Sequence, residues 1–236
     1  MTEEIFRDDA YAKSCTANVL EVDGRGVILD RTVFYAEGGG QPGDTGTIIA
    51  ADGSLVQVVG TYQDRYGRGI LHELAEGENP PGAGTEVTAE IDWDRRYKHM
   101  RMHSCLHLLC SLVDGGVTGG SISVKKSRLD FDLKDVTLDK EELTTELNIL
   151  VKENRALSAT WISEEEMEAQ QDLVRTMSVK PPTGTGKVRL MHVEGVDLQP
   201  CGGTHVKASG EIGEVRVSKI ENKGKHNRRV NIVLVE

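Results

Sequence analysis

The sequence has few of the features that mark membrane-bound, secreted or disulfide-rich proteins. None of its apolar runs approaches the roughly 18–20 residues needed to cross a membrane. Residues 1–9 have neither the basic start nor the apolar stretch of a signal peptide. The four cysteines, at positions 15, 105, 110 and 201, are too few and too scattered for a disulfide framework. We therefore expect a cytoplasmic protein that has no contact with a membrane.

The formal net charge of −10 argues against a general nucleic-acid binder, because such proteins carry an excess of positive charge. Basic residues nevertheless gather within residues 95–101, 125–128 and 216–229. The last group is the largest and contains Arg216, Lys219, Lys223, Lys225, Arg228 and Arg229. From composition alone, these groups fit ordinary solvated surfaces and contacts to one end of an RNA equally well.

Residues 1–92 have the pattern of short strands joined by turns. Apolar and polar residues alternate from Ala17 to Val22, and Asp52-Gly53 separates two further strand patterns as in a hairpin. No helix signal interrupts the even spacing of these strands. The segment is therefore predicted to form a small β-barrel or sandwich, and we favour the barrel.

The pattern changes near residue 92. Residues 94–113 contain no glycine or proline and predict a helix that ends at Asp114-Gly115. Two more helices are predicted to begin at Asp139 and Ser163, whose side chains can cap a first turn. Strands are predicted over residues 187–193, 213–220 and 229–235, and a loop over 178–187. The predicted organisation is thus α+β, with a barrel domain over residues 1–92 and an α+β domain over residues 93–236.

Two short motifs indicate the metal site of this second domain. His103 and His107 lie four residues apart, so a helix places them on one face with Cβ atoms about 5–6 Å apart. Cys201 and His205 lie at the two ends of a glycine-containing turn. One thiolate and three imidazoles form a donor set that suits Zn²⁺. We therefore predict that Zn²⁺ is bound by His103, His107, Cys201 and His205.

Local alternatives to this ligand set exist on the same helix. His99 lies four residues before His103 and shares its face. Charged residues flank His99 whereas leucines surround His107, and because the drier end is the better ligand end we favour His103 and His107. Cys105 and Cys110 lie in an apolar helix and are predicted to be small core residues.

Glycines form the other notable feature. Gly202 and Gly203 lie beside the predicted metal, where they permit the close approach of a substrate or a turn with positive φ, or both. Gly38-Gly39-Gly40 lie in the segment 34–46, where their amides fit an anion-binding nest or a plain loop between strands. The segment lacks the lysine of a P-loop and the spacing of a dinucleotide fingerprint, so no nucleotide cofactor is expected.

Several of these motifs, taken in order, resemble one family. The chain is similar to the editing domain of alanyl-tRNA synthetase, and more so to its free-standing relatives, the AlaX trans-editing proteins. The segments that carry the resemblance are 34–44, 96–109, 129–132, 201–205 and 221–230. The resemblance runs from about Phe6 to the C-terminus and, with a glycine-rich N-terminal domain and no long C-terminal extension, favours the medium-length class. No adenylation domain is recognised, so the chain is not expected to charge tRNA.

The resemblance implies a function and a set of residues. It implies hydrolysis of the ester that joins a wrong amino acid, chiefly serine, to alanine tRNA, which makes mischarged alanine tRNA the partner; whether glycine is also removed is left open. It implies that zinc either activates the attacking water or anchors the amino group of the substrate, and it leaves Gln41 as the candidate catalytic residue. Thr32 corresponds to a threonine that recognises the serine hydroxyl, and Gly38 stands where synthetases usually have serine. The substrate-binding set is Thr32, Gly38, Gly39, Gly40, Gln41, Gly202 and Gly203, and the tRNA-binding set is Lys223, Lys225, Arg228 and Arg229.

Two other functions fit parts of the sequence. A non-catalytic, zinc-stapled tRNA-binding module keeps the ligands and the basic residues but has no turnover. An unrelated zinc hydrolase of small esters does not need the basic C-terminal residues. Release of serine from mischarged alanine tRNA separates the three functions.

Overall fold

A computed structural model describes residues 2–134, 137–170, 174 and 186–235 of the chain. The chain forms two compact units, Met1–Tyr97 and Lys98–Glu236, which are described separately. The domain limit between residues 92 and 93 stays a prediction. The predicted loop over 178–187 lies outside the described residues except for its last two positions.

The strands of the first unit are β1 Glu3–Glu4, β2 Ser14–Asp23, β3 Gly26–Leu29, β4 Arg31–Thr32, β5 Gly46–Ala50, β6 Leu55–Gln63, β7 Ile70–Leu74 and β8 Glu86–Ile91. Six of them form a closed barrel in the order β2-β3-β7-β6-β5-β8, which confirms the predicted barrel. The two short strands β1 and β4 pair with each other in parallel. The predicted hairpin at Asp52-Gly53 joins β5 to β6, and Gly53 has a φ of 83°, which glycine adopts without strain.

Alternating apolar side chains fill the barrel. Val56 and Val58 of β6 are buried while their neighbours in the strand are exposed, as the two-residue period of a strand requires. Val33 and Phe34, which follow β4, are fully buried in the same core cluster. The segment that leads into Gly38-Gly39-Gly40 is therefore anchored in the barrel core.

The second unit contains helices and two antiparallel sheets. The elements from residue 93 onward are α1 Trp93–Leu112, β9 Gly116–Ser121, β10 Ser127–Asp132, α2 Lys140–Lys152, β11 Leu157–Ser163, α3 Glu164–Ala169, β12 Lys187–Val193, β13 Asp197–Pro200, β14 Val215–Asn222 and β15 Asn227–Leu234. The four-stranded sheet has the order β14-β15-β10-β9, and the three-stranded sheet has the order β11-β12-β13. This mixture of helices and sheets confirms the α+β class.

The predicted helix starts are confirmed, and each has a local cause. The Asp139 carboxylate accepts hydrogen bonds from the Glu141 and Glu142 amides, both at 2.8 Å, and caps α2. Such a cap contributes about 1 kcal/mol. Ser163 caps α3 through a capping box with Glu166. The strand predicted from residue 213 begins later, at Val215, because Gly213 has a φ of 72° and forms a turn.

α2 is held against β14 by its apolar face and by one polar side chain. Leu143, Leu147 and Val151 form the buried face of the helix. Asn148 donates to the Val215 carbonyl at 2.7 Å and accepts from the Val215 amide at 3.0 Å, so one side chain satisfies both backbone groups at the start of β14. Within the described parts of the chain, no helix is long and apolar enough to cross a membrane.

Candidate metal centre

α1 supplies two of the predicted ligands. His103 and His107 are both buried, and their ring centroids lie 5.4 Å apart, as the spacing of four residues on one helix face requires. Leu108 and Leu109, beside His107, are fully buried.

The segment after β13 supplies the other two ligands. The Cys201 amide donates to the Arg189 carbonyl at 3.0 Å, which continues the pairing of β12 with β13 and fixes Cys201 at the strand end. The chain then turns through Gly202 and Gly203 and returns His205. Neither glycine has a positive φ, so the backbone conformation of this turn does not require glycine at either position. The presence of glycine at positions 202 and 203 is therefore explained by the lack of a side chain next to the ligands.

The structure brings the four predicted ligands together. One ligand atom from each of His103, His107, Cys201 and His205 lies within 4.8 Å of the others, so the group can hold a metal ion. The Cys201 sulfur lies 3.4 Å from His103 Nε2 and 3.2 Å from His205 Nε2. The donors are therefore one sulfur and three nitrogens, the set that suits Zn²⁺.

The pKa shifts within the cluster favour the metal-binding forms of Cys201 and His205. Burial by itself raises the pKa of the Cys201 thiol, but the charges of His103 and His205 lower it well below its usual value. Burial, together with the charge of His103, holds the pKa of His205 well below its usual value. A thiolate and a neutral imidazole are the forms that bind metals.

The pKa of His107 in the metal-free chain is raised, unlike the pKa values of Cys201 and His205. Burial by itself lowers its pKa, but hydrogen bonds to Asp197 and Cys201 raise the pKa to about 9. The Nδ1 atom of His107 lies 2.9 Å from Asp197 Oδ2. Metal binding must therefore displace a proton from this ring near neutral pH.

Sequence reasoning missed four residues that contact the ligands. Asp197 and Gln199 contact His107, and Ser104 Oγ lies 3.1 Å from His205 Nδ1. The guanidinium of Arg189 donates to the carbonyls of Cys201 at 2.9 Å and Gly203 at 3.1 Å. One signal was available: Asp197, Gln199 and Cys201 alternate, so a strand before Cys201 places all three on one face.

The alternative ligands are not part of the cluster. Among the described residues, the group able to hold a metal does not include His99, Cys105 or Cys110. Cys105 is fully buried, and burial raises its pKa to about 12, so it stays a neutral thiol. This agrees with its predicted role as a small core residue.

The glycine-rich segment belongs to the first unit and forms a tight turn. The amides and carbonyls of Gly38 and Gln41 bond to one another at 3.1 and 2.9 Å, and the two residues between them, Gly39 and Gly40, have φ values of 56° and 82°. This pattern defines a turn that glycine strongly favours. Because the Gly38 amide donates to the Gln41 carbonyl within the turn, it does not contribute to the predicted anion-binding nest. Gln41 is fully buried.

Thr32 is fully buried beside the barrel core. Its hydroxyl accepts a hydrogen bond from the Phe34 amide at 3.0 Å and lies 2.8 Å from His72 Nε2. Burial lowers the pKa of His72 to about 4, so the ring is neutral at pH 7. Because His72 Nδ1 faces the Val27 carbonyl, its Nε2 accepts from the Thr32 hydroxyl. Thr32 therefore has a structural role inside the first unit.

The four predicted tRNA-binding residues differ in exposure and pairing. Lys223 and Lys225 are exposed in the turn between β14 and β15. Arg229 makes two hydrogen bonds to the Asp130 carboxylate, at 2.7 and 2.8 Å, and Arg228 donates to the Gly224 carbonyl at 3.3 Å. Lys223 Nζ lies 3.6 Å from Glu221 Oε1, but both lysine side chains are exposed and present charge to solvent, whereas the two arginines are half-buried.

Comparison with known proteins first defines the class. A family model described as tRNA synthetases class II (A) matches residues 5–95, and one described as threonyl and alanyl tRNA synthetase second additional domain matches residues 188–231. The alanyl-tRNA editing protein AlaX-M of Methanosarcina acetivorans is 37% identical over 247 residues, which cover all of both chains. That of Saccharolobus solfataricus is 35% identical over 98% of each chain. The chain belongs to the AlaX family of alanyl-tRNA editing proteins.

A third relative is a much longer protein. Alanine–tRNA ligase of Pyrobaculum aerophilum is 36% identical over 93% of this chain but over only 25% of the ligase. The chain therefore corresponds to one part of that ligase.

Proposed function

We propose that the protein hydrolyses the ester between serine and the 3′ end of alanine tRNA, acting in trans on tRNA that a synthetase has released in the cytoplasm. Glycine attached to the same tRNA is a second proposed substrate. The observation that carries the proposal is the cluster of His103, His107, Cys201 and His205, with its three buried imidazoles, in a member of the AlaX family. Relatives that carry the name alanyl-tRNA editing protein and match along almost the whole chain support an editing function.

Zn²⁺ is the proposed metal, because the residues present fit it. Three imidazole nitrogens and one thiolate sulfur lie close enough to share one ion, and Zn²⁺ binds such mixed sets tetrahedrally. The lowered pKa of Cys201 supports a thiolate at the site. When bound, zinc would supply positive charge that activates the attacking water or anchors the amino group of the substrate.

The turn between Cys201 and His205 offers a group that can stabilise the reacting ester. In a trans peptide the N–H points away from the C=O. Arg189 binds the Cys201 carbonyl, so the Gly202 amide of the same peptide points away from Arg189. We assign this amide to the carbonyl oxygen of the ester, where negative charge develops as water attacks. An aminoacyl ester is already activated, so this help and a positioned water can suffice.

The substrate and tRNA contacts remain proposals based on the sequence match. Thr32, Gly38, Gly39, Gly40 and Gln41 are proposed to bind the amino acid, together with Gly202 and Gly203 at the metal centre. Gln41 stays the candidate catalytic residue. For tRNA phosphates, the exposure of Lys223 and Lys225 supports a direct contact, and Arg228 and Arg229 are proposed to assist from the strand beside them.

One observation favours a second candidate function. Four protein ligands on one zinc fill its usual coordination sphere, as in closed structural sites. A non-catalytic, zinc-stapled tRNA-binding module fits that arrangement and binds tRNA without turnover.

The decisive experiment compares substrates. Wild-type protein is incubated with alanine tRNA charged with serine, glycine or alanine, and with a small serine ester, and release of each amino acid is followed. We expect rapid release of serine from tRNA, slower release of alanine and little hydrolysis of the small ester. Binding without release favours the zinc-stapled module, and equal hydrolysis of the small ester favours the unrelated esterase.

A further inference from the structure

We propose that Asp197, supported by Gln199, is a positioning residue that fixes His107 with its Nε2 atom toward the metal. The inference concerns the shell of residues around the four ligands and does not depend on the substrate. It follows from strand register, hydrogen-bond geometry and burial.

Strand register delivers the positioning residues together with a ligand. Asp197 and Gln199 lie on β13, and Cys201 follows the strand two residues later. Alternation along the strand directs the three side chains to one face. The short segment that places the sulfur ligand therefore also places a carboxylate and an amide against the imidazole from α1.

Three atoms meet at the back of the His107 ring. His107 Nδ1 lies 2.9 Å from Asp197 Oδ2, Gln199 Nε2 lies 2.7 Å from the same oxygen, and the two nitrogens lie 3.0 Å apart. The carboxylate oxygen is an acceptor only, so it accepts from both nitrogens, which explains why they lie so close together. This assigns a proton to His107 Nδ1 and leaves Nε2 for the metal.

The burial of these groups is informative. Asp197 and Gln199 are each 7% exposed. A buried carboxylate is costly unless positive charge or hydrogen bonds compensate it. His107 and Gln199 supply the hydrogen bonds, and a cation bound at Nε2 would supply charge on the far side of the same ring. Carboxylates in this position behind metal-binding histidines orient the ring and raise its basicity.

A second imidazole is held in a related way. Ser104, fully buried on α1, has its hydroxyl oxygen 3.1 Å from His205 Nδ1 and accepts from the Val206 amide at 3.2 Å. His205 Nε2 faces the Cys201 sulfur at 3.2 Å. Two of the imidazoles are therefore fixed through Nδ1, with Nε2 directed inward.

The first test measures zinc affinity. Asp197→Asn keeps the size of the side chain but removes the charge, and we expect the zinc dissociation constant, measured by competition with a chelator, to rise about 10–100-fold. Asp130→Asn is the matched control, because Asp130 is also 7% exposed but pairs with Arg229 in the other sheet. We expect the control to stay within about threefold of wild type. An affinity of Asp197→Asn equal to that of the control would overturn the proposal.

The second test separates positioning from a general loss of structure. In zinc-loaded wild-type protein labelled with ¹⁵N-histidine, we expect NMR to show His107 protonated at Nδ1 and bound through Nε2. We also expect the Nδ1 proton to exchange faster in Asp197→Asn, with the backbone circular dichroism unchanged. If the variant does not fold, the wild-type spectrum alone decides, since His107 bound through Nδ1 contradicts the assignment.

Discussion

Arg96 and Asp44 form a buried ion pair that fastens both ends of the glycine-rich segment. Both side chains are almost completely buried, and Arg96 Nε lies 2.9 Å from Asp44 Oδ2. The same guanidinium donates to the Val33 carbonyl at 2.7 Å, and Asp44 accepts from the Tyr35 amide at 2.7 Å. The segment from residue 33 to residue 44 is thus closed by one arginine.

Removing the arginine should destabilise the first unit strongly. Arg96→Met leaves the Asp44 carboxylate buried without its cation, which typically costs about 3–5 kcal/mol. The free energy of unfolding in urea measures the loss. Arg31→Ala is the control, since Arg31 pairs with Glu3 at the surface and such pairs contribute about 0–1 kcal/mol. A similar small effect for both variants would show that the buried pair does not hold this segment.

Zinc affinity should depend on pH because of His107. The pKa of His107 is raised to about 9 in the metal-free chain, so below pH 9 a proton competes with zinc for the ring. The logarithm of the apparent affinity should rise by about one unit per pH unit between pH 6 and 8 and level off above pH 9. Chelator competition at several pH values tests this. Equal affinities at pH 6.5 and pH 8 would contradict it.

The lysines of the β14–β15 turn should contribute to tRNA binding through charge. Replacing Lys223 and Lys225 with alanine should weaken binding and reduce the slope of affinity against salt by about one unit for each lost phosphate contact. Filter binding over a range of salt concentrations measures the slope. Lys140 and Lys152, exposed on α2, are replaced as the matched control. The proposed contact fails if the two double variants have the same slope.

Substitution of Thr32 can separate a structural role in the barrel from a role in recognising the substrate. Thr32→Val deprives His72 and the Phe34 amide of their partner, so we expect a loss of stability of about 1–3 kcal/mol. If the hydroxyl also recognises serine, kcat/KM for seryl-tRNA should fall by about one to two decades, with alanyl-tRNA spared.

Thr32→Ser, which retains the hydroxyl, is the control for this experiment, and both substrates are measured at a temperature at which all proteins are folded. Equal losses on the two substrates would leave Thr32 with its structural role alone.

The four residues of the candidate metal site could be predicted from the sequence because each pair is local. Four residues on a helix fix the distance between His103 and His107, and a short turn fixes that between Cys201 and His205. Asp197 acts on His107, ninety residues away, so its contact depends on how β13 meets α1. The alternation of Asp197, Gln199 and Cys201 is visible in the sequence. It places their side chains on one face only if the segment is known to be a strand.

The barrel and the three helices could be predicted because their signals repeat or have local caps. β11 could not, since Ser158 to Trp161 are all exposed and show no alternation at the edge of its sheet. β9 contains Gly119 and Gly120, which weaken a strand pattern. The ion pair of Arg96 with Asp44 was also missed, because it joins residues 52 positions apart and arginine is rarely buried.

The most direct test of the central claim follows serine release from seryl-tRNA(Ala) by wild-type protein as purified, after removal of metal by a chelator, and after readdition of zinc. Elemental analysis should give about one zinc per chain. We expect hydrolysis to be lost with the metal and restored with zinc, and to be lost in Cys201→Ala but retained in Cys110→Ala. Serine release that is unchanged in the metal-free protein, or absent in the zinc-loaded protein, would contradict a zinc-dependent editing hydrolase.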